Sequence, residues 1–243
     1  MGKNKNRNYK YNAFAAKEAA EKAAKLKKKR TAIALIAAVL AVVGIAICIA
    51  VAIWASMPKD YCTYYANRKV DESKVTYVEM KVEGYDVPVV ILLDASEAPA
   101  TVENFVSLVK RGFYDGLDFH RIIKGFMIQG GDDSHLPEDE QADTIIGEFE
   151  AGGITYNDLL HKRGVISMAR ATSVYSASSG FFICDADASH LDGEYAAFGY
   201  VISGLFTVDA IADYAVGKTD SNGNLLELYE QPVIEYIKVI EKP

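Results

Sequence analysis

The chain has little cysteine, and the three it has, Cys48, Cys62 and Cys184, make an odd number. No C-x-x-C pair and no Cys/His cluster with ligand spacing occurs, so the thiols do not outline a zinc site. Three free thiols are expected. A Cys62–Cys184 bridge is permitted outside the cell but required by nothing in the spacing. No N-x-S/T sequon occurs, so glycosylation is not indicated. Positive charge is also scarce after residue 30, where 15 Lys/Arg face 31 Asp/Glu, a net of −16. Phosphate contacts need clustered Lys/Arg, so nucleic acid is excluded as the main ligand. There is no internal repeat. A Ser–His–Asp triad from Ser167, His161 and Asp158 lacks the nucleophile elbow that would expose its serine. The acidic segment Asp132–Asp143 lacks the EF-hand pattern and reads as a solvated loop. No metal site is expected.

What is present begins with an asymmetry. The chain has 243 residues, half of them hydrophobic, enough for one domain and an anchor. Residues 1–30 carry 11 Lys/Arg against Glu18 and Glu21. From Thr31 to Ala55 there is no charged residue. At ~1.5 Å per residue such a run reaches roughly 37 Å, enough to cross a ~30 Å hydrocarbon core. Lys27–Arg30 abut one end of the run, which keeps that end cytoplasmic, and Trp54 lies near the other. Residues 1–30 are therefore read as a basic cytoplasmic arm and 31–56 as a transmembrane signal-anchor helix. Residues 57–74 are read as a linker and 75–243 as the exported domain. A cleavable signal peptide is the rival, but its apolar region usually has only ~7–15 residues. The arm itself reads equally as a solvated tail or as a contact for anionic lipid head groups.

In the exported part, VTYVEMKV (75–82) alternates, Glu83-Gly84 offers a turn, and Asp86–Leu93 continues as a second strand, together a hairpin. Pro99–Lys110 has helical spacing, with Val102, Phe105, Val106 and Val109 on one face and Gly112 as a stop. Phe206–Val216 is a second helix, Asn222-Gly223 a turn, and Val233–Ile240 a last strand. Many short strands with only two helices predict a mainly β fold, a closed barrel.

The densest chemistry lies in FHRIIKGFMIQGGD (119–132). Spacing alone leaves two readings open. Either Arg121, Phe126, Met127 and Gln129 share a concave face, or Arg121 points to solvent from an ordinary barrel strand.

This segment is similar, over its whole length, to the central motif of the cyclophilin family. The resemblance continues in APATVENFVSLVKRGFYDGLDFH (98–120), GVISMAR (164–170), SSGFFI (178–183) and LDGEYAAFGYVISG (191–204). It implies a closed eight-stranded antiparallel β-barrel capped by two α-helices, no cofactor, and prolyl cis/trans isomerisation. By resemblance, Arg121 and Gln129 are catalytic, and Phe126, Met127, Phe182 and Leu191 form the proline pocket. Arg170, Ala171, His190 and Tyr195 would complete the substrate-binding wall. Four positions depart from the family pattern. Gly180 replaces a Gln and Arg170 an Asn whose main chain does the binding. His190 replaces a Trp associated with cyclosporin binding, and Tyr195 replaces a His. His120 and His161 are structural in the family.

The function expected is a peptidyl-prolyl isomerase that helps exported or cell-surface proteins fold. It would be anchored in the cell membrane by residues 31–56, with the catalytic domain outside. Its partners would be proline-containing peptides and unfolded exported proteins, and it would act as a monomer. The alternative is a non-catalytic proline-peptide binding module or holdase, which Gly180 and Arg170 favour and the intact Arg121/Phe126/Met127/Gln129 set disfavours.

Overall fold

The computed structural model describes residues 21–22, 25–30, 33, 35–36, 39–49, 51–52, 59–153 and 157–243. The chain divides into two compact units, Met1–Pro58 and Lys59–Pro243. In the first, the described residues between 21 and 52 are helical, with apolar side chains such as Leu40 and Ile45 exposed. Among the described residues no helix is long and apolar enough to cross a membrane. The expected span, 31–56, includes residues that lie outside the described ones, as does most of the arm.

The second unit is an eight-stranded antiparallel sheet with two helices. The strands are β1 (Val75–Val82), β2 (Val89–Asp94), β3 (Arg121–Ile123), β4 (Met127–Gly130), β5 (Val165–Met168), β6 (Phe181–Cys184), β7 (Ala197–Ser203) and β8 (Ile234–Ile240). The helices are α1 (Pro99–Lys110) and α2 (Leu205–Tyr214), and the strand order is β3-β4-β6-β5-β7-β2-β1-β8. The expected hairpin forms as β1 and β2, with Val78 opposite Ile91. Both expected helices form, within two residues of their expected ends.

The sheet curls but does not close, which corrects the expected closed barrel. β3 and β8 are the two ends of the sheet and share no ladder. β3 is only three residues long, and Pro232, just before β8, has no N–H to give to a ladder. Between these edges run single bridges, Asp118 with Val233 and Arg121 with Asn224, so residues 219–233 fill the gap without forming a strand.

Residues on one face of each strand pack inward with the helices. Phe105 of α1 meets Tyr114, Phe181 and Phe198 at ring distances of 4.9–5.6 Å. Each buried ring of this kind is worth roughly 1.5–3 kcal/mol of apolar burial. The first turn of α1 has no side-chain cap of its own. The buried carboxylate of Glu148 takes that role, accepting from the amides of Ala100 (3.0 Å) and Thr101 (2.7 Å).

The outer face of the sheet carries a second apolar cluster that includes Met127, Phe182, Cys184, Leu191 and Tyr200. Residues 59–74 pack onto it, so the expected linker is part of the domain. Cys62 and Tyr65 are buried, the Cys62 amide donates to the Val201 carbonyl (2.9 Å), and Tyr65 stacks on Tyr200 at 5.0 Å. Asp60 caps α2, accepting from the amides of Gly204 (2.9 Å) and Phe206 (2.7 Å). A cap and two buried side chains outweigh the polar composition that suggested a linker. Cys62 and Cys184 are both free.

Candidate active site

The register of four strands builds the site. In the β3–β4 pair, Arg121 lies opposite Gln129, Ile122 opposite Ile128, and Ile123 opposite Met127. Ile122 and Ile128 are fully buried in the core, so by the two-residue period Arg121 and Gln129 share the other face. On the next pair Gln129 lies opposite Phe182, and beyond it Phe182 opposite Ser167. A row Arg121–Gln129–Phe182–Ser167 therefore crosses the outer face, with Met127 in the row beside it.

The β3–β4 turn brings Phe126 to the rim. The Gly125 amide donates to the buried Asp185 carboxylate (2.6 Å), and the Asp185 amide donates to the Phe126 carbonyl (2.9 Å). On the far side Leu191 lies in a single 3-10 turn, Ser189–Leu191, followed by Tyr195, whose ring meets Phe182 edge-on at 5.8 Å.

These side chains enclose a cleft of about 90 Å³ lined by Arg121, Phe126, Met127, Gln129, Ala169, Arg170, Phe182, Leu191 and Tyr195. The structure thus brings together most of the residues expected from the sequence. Two lie outside the lining. Ala171 is exposed, its amide donating to Ser176 Oγ (3.0 Å), and His190 sits beside the rim with its ring 5.2 Å from that of Phe126. Ala169, in the lining, was missed: an alanine carries no chemical signal of its own.

Arg121 donates from Nε to the Asn222 carbonyl (2.8 Å) and from Nη1 to Gln129 Oε1 (3.3 Å). It forms no ion pair among the described residues. Gln129 Nε2 lies 3.2 Å from His120 Nε2. An amide nitrogen only donates, so that ring nitrogen accepts and His120 is neutral. Burial lowers the His120 pKa, and Arg121 adds to the effect, against the pull of Asp132 and Asp118.

Beneath the floor, His161 Nδ1 lies 3.0 Å from Asp192 Oδ1 and Nε2 lies 3.0 Å from Ser167 Oγ. The carboxylate is Asp192 and not Asp158, which corrects the triad considered from sequence. Ser167 is fully buried and its hydroxyl faces no cleft, so the chain is scaffold. It ties β5 to the turn carrying Leu191, and the His161 ring stacks on Phe182 at 5.9 Å. Burial lowers the His161 pKa, with the Asp192 hydrogen bond acting against it.

Among the described residues no group of His, Cys, Asp and Glu could hold a metal ion. Chemically, the cleft pairs a cationic fork with an apolar floor. It suits a ligand with one compact apolar ring beside polar amide groups.

Residues 77–235 match the family described as cyclophilin type peptidyl-prolyl cis-trans isomerase/CLD. Among curated proteins, the chain is similar to peptidyl-prolyl cis-trans isomerase A of Dickeya dadantii, 38% identical over 63% of this chain and 79% of that protein. It is 40% identical to a peptidyl-prolyl cis-trans isomerase of Acinetobacter baylyi over 65% of this chain and 81% of that protein. Among solved structures it resembles a cyclophilin type peptidyl-prolyl cis-trans isomerase of Cryptosporidium parvum, with a TM-score of 0.55 and 26% identity. That match covers 70% of this chain and 99% of the other. The same protein in the presence of the dipeptide Ala-Pro matches with a TM-score of 0.54 and 26% identity over 68% of this chain and 99% of that one.

Proposed function

The chain belongs to the cyclophilin-type peptidyl-prolyl cis-trans isomerases and has their activity, and we propose that Arg121 carries the reaction over the apolar floor. Rotation about an X–Pro bond faces a barrier of ~18–20 kcal/mol, because amide resonance must be broken. Left alone it takes tens to hundreds of seconds. No bond is made or cut, so the catalyst has only to bind the twisted amide better than either planar form.

In the twisted state the prolyl nitrogen regains a lone pair. A guanidinium has five N–H donors, and Arg121 spends two, on Asn222 and Gln129. The remaining donors are free to meet the prolyl nitrogen and the substrate carbonyl. Met127, Phe182 and Leu191, each less than a tenth exposed, offer the proline ring a dry seat. Gln129 holds one edge of the fork. The substrate main chain would run along residues 169–171, beside Gly180, where a Cβ would meet the Ala169 Cβ at an ordinary contact distance of 3.5 Å.

The observation that carries this reading is an arginine that has no carboxylate partner among the described residues and is half-buried over an apolar floor. Arg121→Ala should lower kcat/KM by at least roughly tenfold with the fold retained, since one charge-assisted donor is worth ~1.5–3 kcal/mol. A protease-coupled or NMR-exchange assay on a proline peptide reads the loss. Unchanged activity in a folded variant would sink the mechanism and favour a binding module.

The substrates proposed are exported or cell-surface proteins near their emergence from a bacterial membrane, with the domain acting as a monomer. Support comes from the uncharged run Thr31–Ala55 directly after Lys27–Arg30 and from the acidic body that follows. Protease added to sealed protoplasts should digest residues 60–243. Protection of that domain in sealed protoplasts would contradict the outside placement.

A further inference from the structure

The open edge of β3 is occupied by the turn Asp220–Asn224, and this turn holds Arg121 from behind. Two successive carbonyls of the turn face β3. The Gly223 carbonyl accepts the Ile122 amide (2.8 Å), and the Asn222 carbonyl accepts Arg121 Nε (2.8 Å). One backbone thus fixes both the strand and the root of the guanidinium that strand carries.

What shapes the turn is the Asp220 carboxylate. Its Oδ1 accepts the amides of Asn222 (2.8 Å) and Asn224 (2.9 Å), and its Oδ2 accepts Asn224 Nδ2 (2.9 Å). The backbone closes around it, with the Asp220 amide on the Asn224 carbonyl (2.9 Å) and the Gly223 amide on the Asp220 carbonyl (3.1 Å). The Asn224 side chain, then the Asn224 and Asn222 amides, hold the Asp220 pKa below the ordinary carboxylate range. Gly223 has φ +88°, and a Cβ there would run into the Ile123 side chain.

We propose that Asp220 is a positioning residue for the isomerisation, setting the plane of the Arg121 guanidinium through the Asn222 carbonyl. The proposal rests on the reading of Arg121 given above. An arginine side chain loses rotamer freedom when it is fixed. One acceptor leaves the fork free to swing about a single contact. Two acceptors on separate elements, Asn222 and Gln129, fix its plane and aim the unused donors into the cleft. None of residues 220–224 lines the cleft, so ground-state binding of the proline ring should depend little on the turn.

The test is steady-state kinetics of the full chain with a proline peptide. Asp220→Ala should lower kcat about three- to tenfold and leave KM within about twofold, the pattern of an interaction made in the transition state. Asp220→Asn, which keeps an oxygen for the two amides, should recover most of the rate. In an Arg121→Ala background, Asp220→Ala should change nothing further. An NMR signal from the Arg121 Nε–H, slow to exchange in the parent protein, should broaden or exchange faster in Asp220→Ala. That signature is readable in the native fraction of a poorly stable variant.

The proposal fails if Asp220→Ala raises KM at constant kcat, if Asp220→Asn is as damaging as Asp220→Ala, or if the loss persists without Arg121. It also fails if the Nε–H exchanges equally in both proteins. A fully active Arg121→Ala protein would instead overturn the reading of Arg121 itself, so the two failures are distinguishable.

Discussion

The two rims of the cleft each carry an arginine, and their surroundings differ. On the β3 rim Arg121 makes two hydrogen bonds and no ion pair among the described residues. On the opposite rim Arg170 is used up. Its Nε (3.2 Å) and Nη2 (3.0 Å) donate to the Glu194 carbonyl, and its Nη1 donates to those of Ala171 (3.0 Å) and Thr172 (3.4 Å). The Glu194 carboxylate lies 3.6 Å away, and the guanidinium packs over the Tyr195 ring at 4.5 Å and the Phe149 ring at 5.4 Å. The same side chain is a tool on one rim and a staple on the other. Residue type says nothing about which; the count of unspent donors decides it.

The largest effect that separates the rims comes from truncating each arginine. Arg121→Ala is expected to act on the rate, as set out above. Arg170→Ala should remove two ring contacts and the carbonyl bonds holding residues 194–195 to the end of β5. That loss is worth about 2 kcal/mol, or about 4–8 °C in melting temperature for a domain of this size. KM should rise a few-fold as the Tyr195 wall loosens, with kcat within about twofold. Calorimetry and Michaelis kinetics on the same preparation test this. A tenfold fall in kcat at constant melting temperature would make Arg170 a second tool and erase the contrast.

A smaller effect sharpens the Arg121 rim alone. Neutral His120 accepts from Gln129 Nε2, which leaves Gln129 Oε1 facing Arg121. A proton on His120 Nε2 makes it a donor, so the Gln129 amide must turn and its oxygen leaves Arg121. Burial lowers the His120 pKa from the ordinary 6.5, so activity should be flat above pH 6.5 and decline only at lower pH. Stability follows the same sign. Between the lowered folded value and the unfolded value the unfolded chain binds more protons, so the contribution is full above pH 6.5 and is lost as pH falls. His161 is lowered in the same direction, so the wild-type profile alone does not separate the two. His120→Gln does not titrate, and its kcat profile should lose the acid limb. An unchanged limb would detach His120 from the site.

Legibility differed along the chain for identifiable reasons. The β1–β2 hairpin and both helices follow from local spacing, since period 2 and period 3.6 are written in neighbouring residues. The turn at Asn222-Gly223 was legible because only glycine suits its left-handed backbone. Phe126, Met127, Phe182 and Leu191 stood out through motif resemblance. Residues 59–74 were misjudged because their polar composition hides Asp60, Cys62 and Tyr65, whose partners lie about a hundred residues or more further on. The incomplete barrel was misjudged because the number of strands does not report whether the last edge pairs with the first.

Local spacing in the sequence was enough for the β1–β2 hairpin, both helices and the last strand, while it left the face of Arg121 open, and the cleft residues followed only from the family resemblance. Such local elements depend on side chains close together in the chain, whose types differ. That Glu148 caps α1, that Asp192 pairs with His161, and that a carbonyl 101 residues away holds Arg121 emerges first in the folded chain. A backbone carbonyl belongs to every residue, so a long-range bond to one leaves no mark in residue type, and only the folded geometry selects it.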